Sequence, residues 1–174
     1  MDKEIKKKQE ERFKNTENME QRYRAWALTL GGHLVNAVRI GQELGGEQFM
    51  QKLEKTFFEG GKAHAQRLKQ TAKLGESWEP LDCLKIGFFL DAIDDSFANF
   101  WEGYVEKTPK AFEKCVLTCP VAELFTQAPV ICERLIQSGA QGMVKALNPK
   151  ASFRFKELLP NGDDSCCYRV EITG

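Results

Sequence analysis

Apolar residues recur every three or four positions from residue 18 to residue 74, which is the period of an α-helix. They form two adjacent stripes on a first helix, one of Tyr23, Trp26, Ala27, Leu30, Leu34, Ala37, Val38 and Gly41, the other of Trp26, Leu30, His33, Ala37, Ile40 and Leu44. Together the stripes make a broad apolar face, so we expect this helix to be well buried. Gly45-Gly46 ends it, and the run from Met50 to Leu74 predicts a second, antiparallel helix.

Two glycine pairs interrupt these predicted helices, Gly31-Gly32 in the first and Gly60-Gly61 in the second. Glycine is the usual residue where two backbones come close to each other. The pattern therefore predicts that the two helices pack closely against each other at these glycines.

In the rest of the chain, some segments show the helical period of three to four residues and others show the strand period of two. A third helix is predicted from about Leu81 to Asp95, and two runs of period two then predict a hairpin that ends at Cys119-Pro120. A helix from about Pro129 to Asn148 precedes a second hairpin, which turns at residues 160–164. The class is α+β, with N-terminal antiparallel helices followed by an antiparallel sheet of about four strands and helices packed on one face.

The length of the chain limits its domain organisation, and its charge balance limits its partners. The 174 residues fit a single domain over residues 18–174, preceded by a charged helix or tail over residues 1–17. Lys and Arg number 25, as do Asp and Glu, so nucleic acid is not expected as a partner. A membrane span and a signal peptide are not expected either, and we expect a cytoplasmic protein.

Six cysteines and two histidines are the candidates for chemistry. In a reducing compartment such cysteines are more often buried hydrophobes, metal ligands or reactive groups than disulfides, and the sequence leaves their redox state open. Alternation along the last strand turns Cys166 inward with Tyr168 and turns Cys167 outward, while Cys132 lies in the apolar stripe of the preceding helix. Cys132 and Cys166 could therefore share a site, although both could equally be core residues.

Three further groups complete the candidate site. Cys119 leaves a strand before a proline, at an edge where loops often build pockets. His33 and His64 lie on or beside apolar stripes and are either core residues or bases for a thiol nucleophile. Trp101 and Tyr168 belong to an aromatic-rich sheet, so Cys119, Trp101 and Tyr168 are the candidate ligand contacts.

Three segments of the second half resemble a known family. They are Pro129-Val130-Ile131-Cys132, the pair Gly139 and Gly142, and Gly162-Asp163-Asp164-Ser165-Cys166-Cys167-Tyr168. Over about residues 80–173 the chain resembles vinyl-4-reductase domains and the related L-2-amino-thiazoline-4-carboxylic acid hydrolase-like family. The resemblance implies a small-molecule-binding α+β module, with a helical part over residues 18–78 and a vinyl-4-reductase-like part over residues 79–174.

The resemblance also implies a metal position. Zinc-containing members hold the metal with a helix cysteine, a Glu and a Cys before the turn, and a Cys in the last strand. Cys132 and Cys166 match the outer two ligands, but the middle two fall near Phe155 and Leu158, which cannot bind zinc. We therefore expect no cofactor, with Cys132 and Cys166 as the ligands should zinc be bound.

Three functions remain open. The hydrolase-like resemblance implies hydrolysis of a C–N bond in a small cyclic amidine or thiazoline, with Cys132 or Cys166 as nucleophile and His33 or His64 as base. The second is a non-catalytic domain that binds or senses a small molecule. The third is a scaffold that binds another protein through residues 1–17. Whether the protein forms a homo-oligomer is left open.

Overall fold

The computed structural model describes the backbone of residues 16–71, 80–96 and 100–173, and the side chains of residues 21–70, 80–94 and 103–173. Its helices are α1 (Thr16–Thr71), α2 (Cys83–Ser96), the short α3 (Ala122–Phe125) and α4 (Gln137–Leu147), which continues a π-helical segment (Ile131–Ile136). Its strands are β1 (Phe100–Lys107), β2 (Ala111–Thr118), β3 (Ala151–Phe155) and β4 (Cys166–Ile172). The α+β class and the four antiparallel strands expected from the sequence are confirmed.

The sheet has the order β1-β2-β4-β3, and all three pairings are antiparallel. Each hairpin contributes two neighbouring strands, and the β2–β4 pairing joins the two hairpins. In that pairing Lys114 lies opposite Tyr168, and Cys115 lies opposite Cys167. The register of β2 against β4 therefore sets which side chains of the two hairpins meet.

One face of the sheet is covered by helices. Its side chains, which include Phe112, Val116, Phe153 and Val170, pack with buried residues of α2 and α4 in the main apolar cluster. The other face carries charged pairs, among them Arg169 with Glu106 and Glu171. This separation is what period-two alternation produces when only one face of an antiparallel sheet is buried.

Helix α1 bends at Gly46, whose φ of 50° and ψ of −139° are not helical. A Cβ added to Gly41 would lie 2.0 Å from the ring of Phe49. Residues eight apart in a straight helix are about 12 Å apart along its axis, so this contact requires a sharp bend. The expected pair of N-terminal helices is thus present as the two halves of α1.

The predicted burial of the first half of α1 is wrong for one of its two stripes. Val35 and Val38 are buried in a second apolar cluster with Phe125, Ile131 and Leu135. The other stripe lies at the surface, and its members are Trp26, Leu30, His33, Ala37, Ile40 and Leu44. Periodicity identifies apolar faces, but it does not say how many of them one domain can cover.

The glycine pairs bring helices together, but not the two halves of α1. A Cβ on Gly61 would lie 1.9 Å from the carbonyl oxygen of Gly139 in α4, and one on Gly142 would lie 2.0 Å from the carbonyl oxygen of Phe58. Gly31 packs instead on Leu124 of α3. The second half of α1 therefore lies directly on α4, so the fold has three layers: sheet, α2 with α4, and α1.

Some expectations fall outside this description. Residues 1–15 lie outside the described residues, so the interaction role of residues 1–17 stays a prediction. Trp101 lies in β1, but its side chain is outside the described part. None of the described helices is both long and apolar enough to cross a membrane.

Candidate functional site

A network of charged and hydroxyl groups is buried between α2 and the covered face of the sheet. Lys114 has no exposed surface, and its Nζ donates to Asp91 Oδ1 and Asp94 Oδ2, both at 2.8 Å. Tyr104 Oη donates to Asp91 at 2.7 Å, and Tyr168 Oη donates to Asp94 Oδ2 at 3.1 Å. Lysine and aspartate are almost never fully buried without such partners, because removing a charge from water is costly.

Local sequence explains how these groups meet. Lys114 takes an inward position of β2 between Phe112 and Val116, directly opposite Tyr168 on β4. Asp91 and Asp94 are three residues apart, so they share one face of α2. The lack of a side chain at Gly87 lets α2 approach the ring of Tyr104, since a Cβ there would lie 2.8 Å from the hydroxyl.

The network is partly open to solvent at its two carboxylates and at Tyr104. The side chains of Asp91 and Asp94 keep 18% and 13% of their surface accessible, whereas Lys114 keeps none. Burial is the main reason that the pKa of Tyr168 lies well above its usual value, and the neighbouring Asp94 raises it further. The pKa of Tyr104 is raised by burial first and then by its hydrogen bond to Asp91. Both tyrosines therefore stay protonated and donate to the carboxylates.

Aromatic rings surround the sheet end of this network. The rings of Phe112 and Tyr168 meet edge to face at 6.1 Å, and those of Phe153 and Tyr168 stack at 5.0 Å. Phe155 meets the rings of both Phe153 and Tyr168 edge to face. Tyr168 thus presents its ring to an apolar cluster and its hydroxyl to the ionic network, so the predicted candidate Tyr168 lies at the junction.

The sequence candidates Cys119, Cys132 and Cys166 come together as a group, here called the thiol cluster. Cys119 follows β2, Cys132 lies in the π-helical segment, and Cys166 begins β4. Cys132 lies within electrostatic range of both Cys166 and Cys119, and these two lie within electrostatic range of Asp94. The thiol cluster therefore adjoins the ionic network, although whether it has a functional role stays a prediction.

Burial keeps these thiols protonated. It raises the pKa of Cys132 to about 12 and that of Cys166 to about 11, and it is the largest cause of the raised pKa of Cys119. The backbone N–H of Leu159 donates to Cys166 Sγ at 3.3 Å and offsets part of the effect. Because the thiolate is the nucleophile, thiols in this state react slowly at neutral pH.

The two histidines lie on opposite halves of α1. His33 is exposed on the uncovered stripe, whereas His64 is half-buried on the second half of the helix. Their predicted role as bases remains untested by this arrangement.

Two of the six cysteines are joined to each other, a state that the sequence left open. Cys115 and Cys167 form a disulfide across β2 and β4. Cys167 does lie on the sheet face opposite Tyr168, as alternation predicts, but only 6% of it is exposed. Cys83, Cys119, Cys132 and Cys166 remain unpaired.

A metal site is not built by these groups. Within the part of the chain that the structure describes, no group of three or more His, Cys, Asp or Glu side chains could hold a metal ion. The thiol cluster, which contains both matched zinc positions Cys132 and Cys166, is therefore not arranged as the four-ligand site that tetrahedral zinc needs.

The ionic network was not identified from the sequence, although its signal was present. Lys114 interrupts an inward run of apolar residues on β2, and a charged residue at such a position needs a buried partner. Asp91 and Asp94 give no such signal, because aspartate near the end of a helix is usually a surface residue. Their partner lies on another element, which a local pattern does not reveal.

Neither a family model nor a curated protein matches this sequence, so the resemblance to the hydrolase-like family has no support at that level. Solved structures do match the fold. A trafficking protein particle complex subunit 3 from Naegleria fowleri, covalently bound to palmitic acid, superimposes with a TM-score of 0.58 at 12% identity, over 89% of this chain and 97% of that chain.

A second solved structure is the phenol-responsive sensory domain of the transcription activator PoxR with phenol. It superimposes with a TM-score of 0.50 at 17% identity, over 86% of this chain and 74% of that chain. At these identities the likeness shows a shared fold. The chain therefore has the α+β fold of these two proteins.

Proposed function

We propose that this protein is a sensor-type domain that binds a small aromatic molecule carrying a hydroxyl group. The observation that carries the proposal is the buried network of Lys114, Asp91 and Asp94 within an otherwise aromatic face of the sheet. Such a network is costly to bury, because the attraction between its charges must offset the loss of their hydration.

The chemistry of the network suits a hydroxyl donor. An ionised carboxylate accepts hydrogen bonds only, and it does so at about four positions. The two carboxylates keep accessible surface, as does Tyr104, so they are among the groups that an entering ligand would meet. The rings beside Tyr168 would pack on the apolar body of the same ligand.

The shared fold supports this class of ligand. The PoxR sensory domain has a similar architecture, was solved with phenol and is described as phenol-responsive. In α+β domains of this kind a small-molecule site is concave and mostly apolar, with a few well-placed polar groups. The network and its aromatic neighbours meet the chemical part of that description.

Hydrolysis of a cyclic amidine is not part of the proposal. That function rested on a resemblance with which no family model agrees. In addition, the nucleophiles it would use have pKa values raised to about 12 for Cys132 and about 11 for Cys166, so little thiolate is present at neutral pH.

Binding of phenol and the three cresols tests the proposal, measured by titration calorimetry and by the rise in melting temperature. We expect at least one compound to bind the wild type and to be recovered chemically unchanged after incubation. Asp91→Asn and Tyr168→Phe, which keep side-chain volume, should weaken that binding at least tenfold.

The matched control is Lys156→Ala, which removes an exposed ion pair with Glu113 on the other face of the sheet. Its affinity for the same compound should equal that of the wild type. The proposal fails if none of the four compounds binds, or if both site variants bind as tightly as the control.

A further inference from the structure

The first half of α1 exposes a continuous apolar stripe that the rest of the described chain does not cover. Its six residues, here called the α1 seam, are Trp26, Leu30, His33, Ala37, Ile40 and Leu44. The exposed fractions are 67% for Trp26, 56% for Leu30, 55% for Ile40 and 85% for Leu44. Scattered exposed apolar residues are ordinary, but a contiguous row of them marks an interaction surface.

We propose that the α1 seam pairs with the α1 seam of a second copy of this chain, in an antiparallel two-fold dimer. This inference goes beyond the proposed ligand site and does not depend on it. The seam residues are spaced four, three, four, three and four apart, which is the a/d spacing of a coiled coil. This spacing suits another helix with the same pattern, because the side chains of the two seams can interdigitate.

The spacing is also symmetric about residue 35, as a two-fold interface requires. Antiparallel pairing about that point places Trp26 of one copy opposite Leu44 of the other and Leu30 opposite Ile40. At the centre His33 faces the small Ala37. Every large residue therefore meets an apolar residue, and the same patch serves both copies.

The charges along this half of α1 favour the antiparallel direction. Between residues 22 and 47 the N-terminal end carries Arg22 and Arg24, while the C-terminal end carries two acids, Glu43 and Glu47, against the single Arg39. Antiparallel pairing brings the basic end of one copy beside the acidic end of the other. Parallel pairing would place like charges together, which is destabilising.

The exposed apolar area of the α1 seam is about what a small dimer interface requires. With side chains of about 150–250 Å², the exposed fractions amount to roughly 500 Å² on each copy, so pairing would remove about 1,000 Å² from water. That total is at the lower limit for a specific interface. Residues 1–15 contain only Met1, Ile5 and Phe13 as large apolar residues, fewer than the seam needs for coverage.

The oligomeric state of the full chain tests the proposal, by light scattering on a sizing column over a range of concentrations. We expect a dimer in the wild type and a monomer with unchanged melting temperature for Leu30→Glu. Leu28→Glu is the matched control, because Leu28 is 48% exposed on the same helix but points away from the seam. A monomeric wild type, or a dimer that survives Leu30→Glu, would overturn the proposal.

Cysteine cross-linking tests the direction. In the antiparallel pair, residue 30 faces residue 40 of the other copy and lies about 15 Å along the axis from its own counterpart. A mixture of Leu30→Cys and Ile40→Cys proteins should give a cross-linked heterodimer on mild oxidation, well above the level of the wild type. Efficient cross-linking of Leu30→Cys with itself would overturn the antiparallel arrangement.

Discussion

Cys115 and Cys167 lie directly opposite each other on β2 and β4, with their Cα atoms 4.0 Å apart, and a disulfide joins them. The bond lies on the charged face of the sheet, whereas the neighbouring Cys166 faces the helices with Tyr168. It links the two hairpins across 52 residues of sequence. The disulfide thus fastens the pairing that also places Lys114 beside Tyr168.

Removing the disulfide should destabilise the fold. Because it closes a long loop in the unfolded chain, we expect Cys115→Ser/Cys167→Ser to lower the free energy of unfolding by roughly 2–4 kcal/mol in urea titrations. The free energy of unfolding of the reduced wild type should be close to that of the double variant. Cys119→Ser keeps the disulfide, so it should retain that part of the free energy of unfolding. Thiol counting on oxidised, denatured protein should find four free thiols, and a count of six would contradict the bond.

Replacing the lysine of the ionic network by an uncharged residue should strongly destabilise the fold. Lys114→Met removes the charge that compensates two partly buried carboxylates, so we expect a loss of roughly 3 kcal/mol in the free energy of unfolding. Adding Asp91→Asn and Asp94→Asn should recover much of it. Lys156→Met, which breaks an exposed pair, should change stability by less than about 1 kcal/mol. Equal losses in the two lysine variants would contradict the network.

Two adjacent glycines of α1 should respond in opposite ways to alanine. Gly61→Ala places a methyl group against the backbone of Gly139, so α1 and α4 must move apart and the melting temperature should fall. Gly60→Ala meets nothing within 4 Å and should stabilise the helix by up to about 1 kcal/mol. Calorimetric melting of both variants decides the matter, and a neutral Gly61→Ala would contradict the close contact.

The thiol cluster should resist alkylation. Burial disfavours the thiolate and so raises the pKa of Cys166 from 9.0 to about 11 and that of Cys132 to about 12. At pH 8 the thiolate fraction of Cys166 then falls about 100-fold, and its reaction with iodoacetamide should slow by a similar factor relative to denatured protein. The rate should rise about tenfold per pH unit up to pH 10. Rapid labelling of folded protein at pH 7, located by peptide mass, would show that the thiols are ionised.

Much of the architecture follows from local pattern. The sequence predicts four helices, two hairpins and the inward orientation of Cys166 and Tyr168, because a period of 3.6 or 2 is a property of the backbone itself. One interpretation fails because it needed more than local pattern. The α1 seam was expected to be buried, yet its burial depends on elements distant in the chain, as does the pairing of Cys115 with Cys167.

The sequence by itself determined which residues share a face of each strand and each helix, because those directions follow from backbone geometry. Only the tertiary structure decided which faces meet. The antiparallel register of β2 on β4 places Lys114 beside Tyr168 and Cys115 beside Cys167, and the packing of α2 brings Asp91 and Asp94 to the lysine. Such pairings are set by the burial of many distant side chains at once, so no single stretch of the chain contains them.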